Sequence, residues 1–96
     1  MIARRAEVAA ELFAIEHNGR YSKLSPAAVR ALQRSIPINA HEARRADERA
    51  FLRSAAGTSD SYVVVANSLN GDRYSIRSSS GTIARQAIVC GKRRNW

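Results

Sequence analysis

The residues able to do chemistry are few and scattered. Cys90 is the only cysteine, so neither an intrachain disulfide nor a cysteine-based zinc site can form. The two histidines, His17 and His41, each fall near the end of a helical pattern, with no partner at a metal-ligand or general-base spacing. Serine and aspartate are present, but no spacing resembles a nucleophile elbow or a carboxylate pair. Gly57, Gly71, Gly81 and Gly91 occur singly at the ends of elements. They therefore form no glycine-rich phosphate loop. These patterns predict no catalytic residue, no bound cofactor and no metal ion, and they point away from an enzyme. Cys90 is expected to be a half-buried strand residue.

Charge carries more information. The 96 residues hold 16 basic and 8 acidic side chains, a net charge of +8. Fourteen of the basic residues are Arg, and 17 residues are Ala. Arginine and alanine together follow a GC-rich coding bias, so the preference for Arg over Lys says little about function. The net charge itself favours phosphate, acidic polysaccharide and anionic surfaces. No run approaches the roughly 18 apolar residues of a membrane span. Glu7 and Glu11 interrupt the apolar start, which therefore does not read as a signal peptide.

A chain of this length is expected to be one domain, about one helix on one sheet. The pattern predicts a helix over residues 2–18. Ile2, Ala6, Ala9 and Phe13 set its apolar stripe, and Val8, Leu12 and Ile15 broaden it. Gly19 suits the left-handed position beyond the helix, with Asn18 before it. Met1-Ile2 offers no capping oxygen, so the helix begins uncapped.

Residues 19–60 read as a variable helix and loop region. Ser25-Pro26 is an N-cap followed by a proline at the first helical position, and Pro37 ends that helix. Asn39-Ala40-His41-Glu42 matches a capping box. It predicts a third helix over 40–55, or a loop with one helical turn anchored by Phe51-Leu52. Arg44 with Glu48 and Glu42 with Arg45 are spaced to pair along its surface.

An antiparallel sheet is expected over residues 61–90. Ser61–Ser68 is the clearest strand, with Tyr62, Val64 and Ala66 on one face. Asn70-Gly71 reads as a two-residue hairpin turn. In the next strand Tyr74 and Ile76 alternate with Arg73, Ser75 and Arg77. Ser79-Ser80-Gly81 is the following turn, and the third strand runs from Thr82 to about Val89. Its register is ambiguous, because Arg85 shares a face with Ile83, Ala87 and Val89. Residues 91–96 form a basic tail. The fold class is α+β: an N-terminal helix packed on a three-stranded meander in the order 1-2-3. Phe13, Leu12, Val8, Tyr62, Val64, Tyr74 and Ile76 are expected to join helix to sheet.

The order of these motifs resembles the type IV pilin-like and type II secretion pseudopilin family. The first segment, AEVAAELFAIEHNGRYSKLSPAAVRAL, is similar to the stretch where the family's N-terminal helix leaves the filament core. It carries Asn18, Gly19, Tyr21, Leu24 and Ser25-Pro26 in the family's order. The last 42 residues are similar to the pilin meander, with its Tyr-x-Val strand, glycine turns, Cys-bearing strand and terminal Trp. The resemblance implies a soluble head lacking the family's apolar N-terminal segment and its processing site. Membrane attachment would come only through that missing segment, and Cys90 lacks the mate that many relatives have.

Two functions follow as expectations. The resemblance implies a filament subunit that contacts other pilin-like subunits through the N-terminal helix, in the cell envelope or an extracellular filament. Its candidate assembly face is Ala3, Ala6 and Ala10, and it has no small-molecule substrate. The charge suggests instead a small basic nucleic-acid-binding domain, linked to DNA uptake where the two readings coexist. Its candidate contacts are Arg73, Arg77, Arg85, Lys92, Arg93 and Arg94, with Trp96 stacking on a base. No zinc ligand set, ribonucleoprotein motif or helix-turn-helix supports the second reading.

Overall fold

Alanine lets the first helix lie close to the sheet beneath it. In the computed structural model, which describes residues 2–79, 82–89 and 91–95, helix α1 runs Ile2–Glu16. Ile2, Ala3, Ala6, Ala9, Ala10, Phe13 and Ala14 are buried along one seam. The helix stops where expected, but Asn18 rather than Gly19 takes the first left-handed position. The amide of Gly19 donates to the Ala14 carbonyl at 2.7 Å, and Asn18 and Gly19 both have positive φ, 59° and 80°. Asn18 thus takes the left-handed position that closes a Schellman motif, and Gly19 follows it.

Two short helices cross back over the sheet. Helix α2, Pro26–Leu32, is capped by Ser25, whose hydroxyl accepts from the Ala28 amide at 3.1 Å. Helix α3, Ala40–Arg45, is capped by Asn39, whose side chain accepts from the Glu42 amide at 2.8 Å. Glu42 reaches back to the amide of Ile38, one residue before the usual capping-box donor.

The sheet has five antiparallel strands in sequential order. They are β1 Ala50–Gly57, β2 Ser61–Ser68, β3 Arg73–Ser79, β4 Thr82–Val89 and β5 Lys92–Asn95. The three expected strands keep their order, and two more flank them. Residues 50–55 are therefore strand rather than helix, and the basic tail contributes an edge strand. A register shift between Leu52 and Ser54 places a bulge at Arg53. The Asn70-Gly71 turn has one more loop residue than expected. Ser68 and Asp72 close it, the Gly71 amide donates to the Ser68 carbonyl, and Gly71 takes φ 92°. That is a three-residue loop with glycine in its left-handed position. Met1, Ser80, Gly81, Cys90 and Trp96 lie outside the described residues, and so do the expectations placed on Cys90, on Trp96 and on the Ser80-Gly81 part of the turn.

The core lies between the helices and one face of the sheet. Phe13 and the alanine seam meet Leu52, Ala55, Tyr62, Val64, Ala66 and Ile76, and Leu24, Val29 and Ile36 extend the core under the connecting region. Burying such side chains contributes about 1.5–3 kcal/mol each before conformational entropy is counted.

Candidate functional site

Helix α1 has two faces of opposite character. At about 100° per residue, Val8, Leu12 and Ile15 lie roughly 160° around the helix from the buried alanine seam. They do not widen the core stripe. They form a second ridge, exposed by 52, 41 and 77%, and Ile83 on β4 is exposed by 44% beside it. Together with Glu7 and Glu11 these residues line an open groove of about 350 Å³ between the helix and β4. The expected assembly face is therefore not exposed. Ala3, Ala6 and Ala10 are fully buried against the sheet, because a small side chain at each position is what allows helix and sheet to approach. Leu12 and Val8 leave the predicted core for the same reason.

Two carboxylates on α1 fix the helix over the sheet. Glu11 accepts from the hydroxyl of Tyr62 at 3.1 Å and from that of Tyr21 at 3.2 Å. The two tyrosine rings meet at 4.8 Å between centroids. Burial first, and then the negative charge of Glu11, raise the pKa of both hydroxyls. Tyr21 also donates its amide to the Thr58 carbonyl at 3.0 Å. Its backbone runs so close to Gly57 that a Cβ there would collide with the Tyr21 carbonyl oxygen and lie 3.0 Å from its carbonyl carbon. Glu7 holds Arg85, whose Nη2 lies 3.1 and 2.9 Å from its two oxygens.

That bond decides the ambiguous strand. Arg85 pairs in register with Ile76, so it sits on the face covered by the helix. It is removed from the candidate anion contacts: its charge is matched by Glu7, and both side chains are mostly buried. Arg73 and Arg77 are exposed on the opposite face, with Ser75 between them. The register Arg73↔Ile88↔Arg93 brings the exposed Arg93 into line with Arg73 across the sheet. Lys92 pairs with Val89, which puts it in register with the other face, and the backbone of Arg94 pairs with Ala87. The anion candidates are thus divided, and Arg73, Arg77 and Arg93 are the ones the register groups.

The charged middle pairs between elements rather than along one helix. Glu42 accepts from Arg30 of α2 at 2.6 Å, and Glu48 from Arg5 of α1 at 3.2 Å. Helix α3 ends before Glu48, which breaks the helical spacing that linked it to Arg44. Among the described residues no group of three or more His, Cys, Asp or Glu side chains is arranged to hold a metal ion. No described helix is long and apolar enough to cross a membrane. No family model, no curated protein and no solved structure matches this chain.

Proposed function

We propose that this chain is the head of a pilin-like filament subunit, of the type IV pilus or type II secretion pseudopilus kind. It acts by assembly and surface display. The observation that carries the reading is the exposed ridge Val8, Leu12 and Ile15 on a helix whose other side is seated on a meander sheet. Such a ridge, spaced to pack against another helix, is left largely uncovered by the described residues, with only Ile83 beside it. The close fit of Tyr21 on Gly57 supports the same reading. It gives the Asn18-Gly19-x-Tyr21 segment a mechanical role, turning the chain off the helix and onto the sheet edge.

Antibodies raised against the purified chain test this in cells of its source. Labelled surface filaments, and the protein in the fraction sheared from intact cells, are the expected result. Label confined to the cell interior would sink the reading. A Val8→Glu/Leu12→Glu variant should fold with an unchanged thermal midpoint yet fail to enter the sheared fraction.

One observation favours a second reading. Arg73, Arg77 and Arg93 are exposed on the sheet face away from the helices, the arrangement expected of a phosphate-binding surface. A domain of this kind would bind single-stranded or duplex nucleic acid through its sheet.

A further inference from the structure

A second site lies away from both faces of the α1–sheet unit. The end of α2, the 33–39 crossing and α3 enclose an open cleft of about 390 Å³. Three arginines line it, Arg30, Arg34 and Arg45, with a single carboxylate, Glu42. Ile36 and Pro37 form its floor and are buried, so the accessible surface is mainly that of the charged side chains. The volume falls within the range of small-molecule sites.

The carboxylate is already engaged. Glu42 takes Arg30 on Oε2 at 2.6 Å and the Ile38 amide on Oε1 at 3.3 Å. This bonding pulls it from Arg45, the partner its helical spacing suggests. Arg34 and Arg45 consequently line the cleft with no ion-pair or hydrogen-bond partner among the described residues. Ser35, also on the lining, accepts from Arg5 at 3.3 Å, which leaves its own hydroxyl proton free to donate. Two unmatched guanidinium groups and a donor hydroxyl form a recognisable set. The guanidinium fork matches the oxygens of a phosphate.

We propose that this cleft binds a small phosphomonoester whose phosphate lies between Arg34 and Arg45. A phosphomonoester carries about −1.5 to −2 charges at pH 7, which matches two free guanidinium groups. A diester or a sulfate ester supplies only one. The site is independent of the filament reading, since it uses neither the α1 ridge nor the sheet.

Calorimetric titration of the purified chain with phenyl phosphate tests it, at fixed ionic strength and about pH 7, above the second phosphate pKa of about 6. Phenyl sulfate, of the same shape and lower charge, is the control ligand, and inorganic phosphate measures the share of the ring. The expected result is a single site that prefers phenyl phosphate to phenyl sulfate by about tenfold. Arg34→Gln/Arg45→Gln should weaken it by at least about tenfold, while Arg73→Gln/Arg77→Gln, which removes the same charge elsewhere, changes it by less than about twofold. All four positions are exposed, and circular dichroism confirms that each variant is folded. Equal losses in the two variants would show attraction by net charge alone and overturn the proposal. So would no saturable heat, several equivalent sites, or no preference for the phosphate.

Discussion

Phe13 shows at one position how helix and sheet hold each other. It is buried in the core, and its ring stacks on His17 at 3.9 Å, while His17 Nδ1 lies 2.8 Å from the Phe13 carbonyl. Phe13→Ala is expected to cost about 3–5 kcal/mol, and for a domain of this size each kcal/mol lowers the midpoint by about 4–8 °C. A midpoint unchanged within error would place this side chain outside the core. Tyr62 gives a prediction with a pH signature. Its hydroxyl and that of Tyr21 have pKa values raised above the usual 10.0 by burial and by Glu11. Below pH 10 both the folded and the unfolded chain keep these protons, so the stabilisation is fully present. Above pH 10 the unfolded tyrosines ionise first, and stability falls as pH rises. Tyr62→Phe should therefore cost about 1 kcal/mol at neutral pH through the lost bond to Glu11, and should make the alkaline decline shallower. Urea midpoints measured on both sides of pH 10 check this; a decline as steep as in the parent chain would count against it. The capping residues Ser25 and Asn39 were legible in the sequence because each acts on the amide three positions on. The Tyr62–Glu11 and Arg85–Glu7 bonds were not, because their partners are 51 and 78 residues apart.

At the scale of elements, the Asn39–Glu42 capping box points to a helix through residue 55, and nothing in the pattern of β1 marks it as a strand. Leu52 and Ala55 are the buried residues of β1, three positions apart, which is a helical spacing. The bulge at Arg53 produces it: one extra residue converts the strand's period of two into a step of three. The composition of β1, rich in Ala with one Arg, adds to the disguise. β5 hides for a different reason. Lys92–Asn95 contains no apolar residue, so no alternation marks it, and pairing with β4 alone makes it a strand. Helix α1 shows the converse. Its periodicity was plain, but which apolar stripe faced inward depended on the sheet, and the sheet selected the alanines. Between the short helices, the tie from Arg30 to Glu42 is the element-scale contact to test. Arg30 chiefly, with the Ile38 amide, holds the Glu42 carboxyl below its usual 4.5. A lowered carboxyl pKa means the stabilisation is complete above the unfolded value and is lost as pH falls through the folded one. Glu42→Gln should therefore lower the urea midpoint at neutral pH and flatten the acid decline that sets in below about pH 5. An acid limb identical to that of the parent chain would show that the Arg30 bond contributes nothing in solution.

Over the whole molecule the decisive quantity is how a charge of +8 is spread. Some of it is matched, since Arg5, Arg30 and Arg85 each meet a carboxylate. The rest is divided among the sheet face of Arg73, Arg77 and Arg93, the Arg34 and Arg45 cleft, and exposed positions such as Arg20 and Lys23. This division could not be read from the sequence, where adjacent arginines look like one patch. Only the register shows that Arg73 and Arg85 lie on opposite faces. A charge distributed in this way predicts weak binding to nucleic acid that is driven by counterion release and erased by moderate salt. Two triple variants of equal charge separate that outcome from a true binding face. One replaces Arg73, Arg77 and Arg93 with Gln; the other replaces Arg20, Lys23 and Arg44. For a filament head, both should weaken single-strand binding equally, and neither variant nor parent should bind at physiological salt. For a nucleic-acid domain, only the sheet variant loses affinity, and the slope of log K against log salt falls by about 0.7 for each phosphate contact removed. Tight binding at physiological salt that is lost only in the sheet variant would reject the purely structural reading. Equal and salt-labile binding would leave assembly through the Val8, Leu12 and Ile15 ridge as the better account, because a dispersed charge gives a strand no continuous track to follow.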